Sequence, residues 1–235
     1  MQPSSRYGAL YVVAAAMLWG TTGTTQALAP VGSGPLVIGA MRIIIGGIVL
    51  ITLSWQRGSL RHHAPWPLLP TLIAIISTAL YQSAFFGGTR LTGVAVGTVV
   101  GIGATPIFAG ILGALFLREK VTRRWWAATA LAIFGCVLLL AGGETLTIDP
   151  LGVLLALGAG LSYAVFTLAS KHLIAHQPSD AVMAVSFGFG ALCLVPLLPT
   201  ADTSWLGTPS GLIVVLYLGV IVTGLFVAIS MTAGG

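Results

Sequence analysis

The sequence predicts an all-α, polytopic membrane protein with about eight transmembrane helices. Only 6% of its 235 residues are charged and 57% are hydrophobic, whereas soluble domains usually contain about 25% charged residues. The mean hydropathy is +1.02, and the 31 glycines are typical of membrane helices. No segment is polar enough to form a separate soluble domain, so the composition indicates a chain embedded in a lipid bilayer.

Eight apolar runs are separated by segments that contain proline, glycine or charge. A bilayer core about 30 Å thick requires roughly 20 apolar residues per helix. The runs of suitable length are Gly8–Leu28, Leu36–Trp55, Leu68–Gly87, Gly93–Phe116, Trp125–Gly142, Leu151–Leu173, Ala181–Leu198 and Leu212–Met231. Helices are expected because lipid offers the backbone no hydrogen-bond partner. The least marked boundary is the short segment from Gly87 to Gly93.

The basic residues of the loops predict the orientation. With a cytoplasmic N-terminus, only Arg90 falls on the outer side, which agrees with the positive-inside rule. The inner side receives Arg6, Arg57, Arg61, Arg118, Lys120, Arg123, Arg124 and Lys171. We therefore expect both termini to be cytoplasmic and the chain to lie in the plasma (inner) membrane. The net charge of +5 reflects this topology, so we expect no nucleic-acid partner.

A weak internal repeat relates two parts of the chain. At an offset of 144 residues, Gly8 aligns with Gly152 and Trp19 aligns with Tyr163. Five runs precede the second copy, so that copy enters the membrane inverted, as in many secondary transporters. The predicted repeats cover residues 1–145, with five helices, and 146–235, with three. The predicted fold is therefore an inverted five-helix repeat whose second copy is truncated.

Several motifs resemble the EamA-type family of the drug/metabolite transporter superfamily. The similar segments are Leu18–Gly20, Met41–Ile43, Gly93–Gly97, Thr105–Phe108, Leu117–Thr122 and Gly160–Ala164. The resemblance implies ten helices in two inverted repeats around a central cavity. It also implies export of a small metabolite, amino acid or drug by alternating access. Because the sequence stops near the end of the eighth run, we expect the last two helices of the family to be missing.

Two functional interpretations follow from this resemblance. The first is an exporter of a small-molecule substrate. The second is a truncated or partner-requiring membrane component without transport activity of its own. In that case a homodimer would cover the open side of the bundle.

Arg42 is a candidate for substrate binding within the membrane. It lies about seven residues into its run, roughly 10 Å deep at 1.5 Å per residue. An arginine at this depth favours a cavity that binds an anionic group. The alternative is that its long side chain reaches the outer headgroups or forms hydrogen bonds to backbone carbonyls.

Five further residues are candidates for the wall of a substrate cavity. Trp19, Tyr81 and Tyr163 combine an apolar ring with a polar tip, as is typical of ligand pockets. They could equally pack in the core with one hydrogen-bond partner each. Thr22 and Gln82 add uncharged polar groups, although such side chains also bridge membrane helices without binding a ligand.

Gly97, Gly101 and Pro106 lie on the fourth run. The two glycines form a GxxxG pair that permits close helix packing, and the proline predicts a kink. This combination indicates either a moving element or packing without motion.

The sequence offers no signal for metal, cofactor or enzymatic chemistry. His62, His63 and His176 lack the further ligands that a zinc site requires, and no Walker A segment is present. No HExxH or GxSxG motif occurs, so we expect no enzyme activity. No carboxylate falls inside a run, which favours facilitated or exchange transport over a proton relay through a buried acid.

Overall fold

The computed structural model describes residues 4–61, 64–116, 118, 122–141 and 149–225, and every regular element in these ranges is helical. The α-helices are α1 (Ser4–Ala27), α2 (Pro35–Gln56), α3 (Leu68–Thr92), α4 (Val94–Phe116), α5 (Arg123–Ala141), α6 (Pro150–Ile174), α7 (Ser179–Leu194) and α8 (Pro209–Leu216). Helix α8 continues directly as a π-helix over Tyr217–Leu225. Short 3-10 helices cover Ser59–Arg61, Val195–Thr200 and Ser204–Gly207.

The predicted all-helical membrane class is confirmed over the described residues. Each of the eight apolar runs overlaps one of the α-helices. Those long and apolar enough to cross a membrane are Pro35–Gln56, Leu68–Thr92, Val94–Phe116, Pro150–Ile174 and Ser179–Thr200. Two shorter apolar helices cover Trp125–Gly135 and Pro209–Gly224. The predicted features that lie outside the described residues are His62, His63, most of the 117–122 segment, and the run ends at 142 and 226–231.

The boundary between α3 and α4 is sharper than the sequence predicts. Helix α3 continues beyond Gly87 to Thr92, and the break is confined to Gly93. Gly93 has a φ of +81°, which is a conformation that glycine adopts without steric penalty. The next helix begins at once, because the Gly97 amide donates to the Gly93 carbonyl at 3.0 Å.

Local capping explains where two other helices begin. Asp149 Oδ1 accepts from the Leu151 and Gly152 amides at 2.8 and 3.1 Å, at the first turn of α6. Thr208 Oγ1 accepts from the Gly211 amide at 3.1 Å, at the start of α8. Such caps satisfy amides that have no partner inside the helix.

Contacts divide the chain into two compact units. Unit 1 combines Met1–Pro67 with Leu173–Gly235, and unit 2 is Leu68–His172. Unit 1 therefore contains α1, α2, α7, α8 and the π-helix. Unit 2 contains α3, α4, α5 and all of α6 except its last two residues. These units are defined by contacts, whereas the predicted repeats 1–145 and 146–235 are defined by sequence similarity. The repeat boundary stays a prediction.

Within unit 1, α2 packs closely along α7. A Cβ on Gly47 would lie 3.1 Å from the Gly188 Cα, so the two backbones approach without an intervening side chain. At the end of α2, Ser54 Oγ donates to the Asp180 carbonyl at 2.9 Å. Ser59 Oγ donates to Asp180 Oδ2 at 2.5 Å. These bonds hold the segment after α2 against the start of α7.

Within unit 2, small residues let α4 and α6 approach each other. A Cβ on Gly160 would lie 2.6 Å from the Gly101 carbonyl oxygen. A Cβ on Gly97 would lie 2.7 Å from the Thr89 Cα on α3. Helix α4 passes through Pro106. The glycines therefore stand at close helix contacts, and motion at Pro106 stays a prediction.

We expect Gly160→Ala to destabilise the protein by about 1–3 kcal/mol, because its methyl group would overlap backbone that cannot move alone. The matched control is Gly158→Ala on the same helix, where a Cβ meets nothing within 4 Å. Thermal unfolding of the two variants in the same detergent measures the difference. Equal melting temperatures would contradict the tight α4–α6 contact.

Candidate functional site

The six candidate cavity residues fall into two sets. Trp19, Thr22 and Arg42 belong to unit 1, whereas Tyr81, Gln82 and Tyr163 belong to unit 2.

Arg42 is buried inside unit 1. It is 2% exposed and is among the largest fully buried side chains of the described residues. Its Nε donates to Thr223 Oγ1 on the π-helix at 3.1 Å. The Thr223 hydroxyl in turn donates to the Leu218 carbonyl at 2.9 Å. The side chain therefore turns into the protein and not towards the headgroups. Ligand binding by Arg42 and its hydrogen bonding to carbonyls both stay predictions.

The charge of Arg42 persists in this environment, because an arginine is effectively always protonated in proteins. Burial of a charge requires hydrogen-bonded partners. The acidic residues that the structure describes lie in a loop or at helix starts: Asp149, Asp180 and Asp202. Arg42 is thus a buried guanidinium among apolar helices, and the planar donors of a guanidinium match the geometry of an anionic group such as a carboxylate.

Helix α1 adds polar groups to unit 1. Trp19 is half-buried, and Thr22 is 4% exposed. The Thr22 hydroxyl has no hydrogen-bond partner among the described residues. The adjacent Thr21 Oγ1 lies 3.0 Å from the Tyr217 hydroxyl, which ties α1 to the first residue of the π-helix.

Two contact residues of unit 1, Tyr217 and Thr223, are missing from the candidate set. In the internal repeat, Thr223 aligns with Thr78 when one further residue of slip is added to the offset of 144. That alignment says nothing about a contact with Arg42, which lies 181 residues away. No sequence signal distinguishes Tyr217 from other aromatic residues in apolar runs.

In unit 2, the structure brings Tyr81 and Tyr163 together, with ring centroids 5.4 Å apart. Phe85 stacks on Tyr81 at 5.6 Å, and Phe166 lies 6.0 Å from Tyr163. These two phenylalanines are also missing from the candidate set. Their spacing of four and three residues from the tyrosines places them on the same helix faces, which was the available signal.

Gln82 lies beside this aromatic cluster in sequence and is 1% exposed. Its Oε1 has no hydrogen-bond partner among the described residues. Buried polar atoms in native proteins are normally paired, and an exception indicates a place for water, an ion or a ligand. The other such atoms in the described chain are Thr22 Oγ1, Thr98 Oγ1, Ser170 Oγ, Gln177 Oε1 and Ser186 Oγ.

Comparison with known proteins agrees with the helical membrane fold. The EamA-like transporter family matches residues 6–141 and 150–234. The uncharacterized transporter YwfM of Bacillus subtilis (strain 168) is 46% identical over 215 residues, which cover 91% of this chain and 72% of that protein. A solved crystal structure has a TM-score of 0.74 at 22% identity, covering 96% of this chain and 78% of its own. This last likeness supports the fold alone.

Two relatives have named substrates. The threonine/homoserine exporter RhtA of Escherichia coli (strain K12) is 29% identical over 230 residues, which cover 95% of this chain and 70% of RhtA. The riboflavin transporter of Vibrio cholerae serotype O1 is 28% identical over 213 residues, covering 85% of this chain and 69% of that protein. Since the family match extends over nearly the whole sequence, this multi-pass membrane chain belongs to the EamA-like transporter family.

Proposed function

We propose that this transporter exports a small metabolite that carries a carboxylate, such as an amino acid, by alternating access. The observation that carries the proposal is the burial of Arg42, at 2% exposure, among apolar helices. The proposed location is the plasma (inner) membrane, with both termini in the cytoplasm.

A carboxylate suits Arg42 for two reasons. The guanidinium has several donors in one plane, so it can form two parallel hydrogen bonds to one carboxylate. In addition, attraction between opposite charges is stronger among apolar helices than in water. A neutral substrate would gain neither effect.

The named relatives supply two chemically different probes. RhtA is a threonine/homoserine exporter, and amino acids carry a carboxylate. The Vibrio cholerae relative is a riboflavin transporter, and riboflavin has no carboxylate. Arg42 favours the first kind of substrate for this chain.

The uncharged candidates of unit 1 support recognition of the rest of a substrate, since Trp19 and Thr22 offer a ring and a hydroxyl in the same unit as Arg42. In unit 2, the uncharged candidates are the rings of Tyr81 and Tyr163 and the amide oxygen of Gln82. None of these groups is charged, so Arg42 is proposed as the determinant of charge selectivity.

We expect Arg42→Gln to lower the transport efficiency for L-threonine at least about tenfold, because a carboxylate would lose its charged partner. The measurement is counterflow of labelled L-threonine into proteoliposomes that contain the purified chain, with riboflavin as the second probe. Arg90→Gln, at an exposed position at the end of α3, is the matched control.

Thermal unfolding of the Arg42→Gln variant separates a binding defect from misfolding. Wild-type efficiency for L-threonine in a folded Arg42→Gln variant would refute the role of Arg42. If the chain transports riboflavin but does not transport L-threonine, the proposal of a substrate with a carboxylate is refuted. If the reconstituted chain moves neither probe, the alternative of a membrane component that needs a partner is favoured.

We also expect counterflow of L-threonine to continue when an ionophore collapses the proton gradient. The described helices contain no acidic residue deep within a span that could relay protons, since Asp180 lies in the first turn of α7. Buried carboxylates in the membrane are the usual proton carriers of pumps and transporters. Strict dependence of the counterflow rate on the proton gradient would contradict this proposal.

A further inference from the structure

The π-helix that follows α8 is unusual in its length. It covers nine residues, Tyr217–Leu225, whereas π-helices are rare and mostly confined to single turns at functional sites. Each amide in a π-helix bonds to the carbonyl five residues earlier, so the segment holds more residues per turn than an α-helix. Something in the surrounding structure must favour this arrangement over the ordinary α-helix.

Two glycines explain how the π-helix fits against α2. A Cβ on Gly219 would lie 2.5 Å from the Ile45 Cβ, and a Cβ on Gly224 would lie 2.6 Å from the Val49 Cγ1. Both glycines therefore face α2 at very close range. In an α-helix, residues five apart point about 140° away from each other. Only the π register lets Gly219 and Gly224 face the same neighbour.

The facing helix is equally restricted. A Cβ on Gly46 would lie 2.6 Å from the Thr223 Cγ2. A return of the segment to the α register would turn one of the two glycines away from α2. The side chain of a neighbouring residue would then face α2 in its place. Close-packed contacts leave no room for that side chain. The α register therefore requires the segment to move away from α2.

Arg42 contacts the π-helix at Thr223, a residue whose own hydrogen bond depends on the π register. Its Nε donates to Thr223 Oγ1 at 3.1 Å, and that hydroxyl donates to the Leu218 carbonyl, five residues earlier, at 2.9 Å. In an α-helix a threonine hydroxyl donates to the carbonyl three or four residues earlier. The pair of bonds from Arg42 to Leu218 is thus specific to the π register.

We propose that Thr223 is a positioning residue whose bond to Arg42 holds the π register, and that a carboxylate bound to Arg42 releases it. A carboxylate accepts a stronger hydrogen bond from a guanidinium than a hydroxyl does, so it displaces Thr223. The released segment returns to the α register and parts from α2. Two discrete packings of one helix are a recognised form of conformational switch. The ligand step rests on the proposed carboxylate site.

Hydrogen–deuterium exchange of the peptide 217–225, with the intact chain in lipid nanodiscs, tests the proposal. Each change of register breaks the backbone hydrogen bonds of this segment, so a released segment exchanges faster. The probes are L-threonine and L-threoninol, which lacks the carboxylate. In the wild type, we expect L-threonine to accelerate exchange and L-threoninol to leave it unchanged.

Two substitutions at position 223 isolate the hydroxyl. We expect Thr223→Val to exchange about tenfold faster without any probe, which is the scale of losing one charged hydrogen bond. L-threonine should add no further acceleration there. Thr223→Ser keeps the hydroxyl and should behave as the wild type. Thr52→Val on α2 is the matched control, because its exposed hydroxyl donates only within its own helix, to Ile48.

Wild-type exchange in Thr223→Val would overturn the role of Thr223. Equal acceleration by L-threonine and L-threoninol would overturn release by a carboxylate. If L-threonine is transported yet leaves exchange in the wild type unchanged, the switch is refuted and the proposed function stands. A further outcome is that Thr223→Val exchanges faster while L-threonine is not transported and leaves the exchange rate of the wild type unchanged. That result upholds the bond from Arg42 to Thr223 and refutes the proposed substrate class.

Discussion

A guanidinium among apolar helices must find oxygen atoms inside the protein, since neither lipid nor aliphatic side chains accept its hydrogen bonds. Arg42 meets this requirement in part through Thr223, on a segment far away in sequence. Thr223 can accept this hydrogen bond because its segment is a π-helix. The π-helix can lie against α2 because glycines occupy the contact. The buried charge of Arg42, the π register and the close glycine contacts at Gly46, Gly219 and Gly224 thus depend on one another.

Unit 2 contains no comparable buried charge among its described residues, and its interior is arranged differently. Stacked and tilted rings from α3 and α6 form one part of it. Glycine contacts between α4 and its neighbours form another. Unit 2 also contains buried polar atoms, such as Gln82 Oε1, that have no hydrogen-bond partner among the described residues. Unit 1 is thus distinguished by a buried guanidinium and unit 2 by a cluster of aromatic rings.

The sequence was sufficient to predict the helices, because each span needs about 20 apolar residues and the breaks contain proline, glycine or charge. It also placed Arg42 within a span, without deciding whether the side chain is buried or reaches the headgroups, and selected both tyrosines that meet in unit 2. It could not predict the bond from Arg42 to Thr223, since hydropathy carries no information about contacts 181 residues apart. The π-helix could not be predicted from the sequence for a different reason. Its residues have the same apolar character as an α-helical span, and the choice of register depends on packing against α2.

The single-residue connection at Gly93 has a practical meaning for anyone who wishes to manipulate this molecule. Helices α3 and α4 meet there with no loop between them. The junction therefore has no loop residues that could accommodate an inserted epitope, a fluorescent protein or a protease site. Because its backbone has a φ of +81°, even an ordinary L-residue would be strained in its place. The segment from Ala201 to Thr203, which lies between two short 3-10 helices, is a much more tolerant point for such labels.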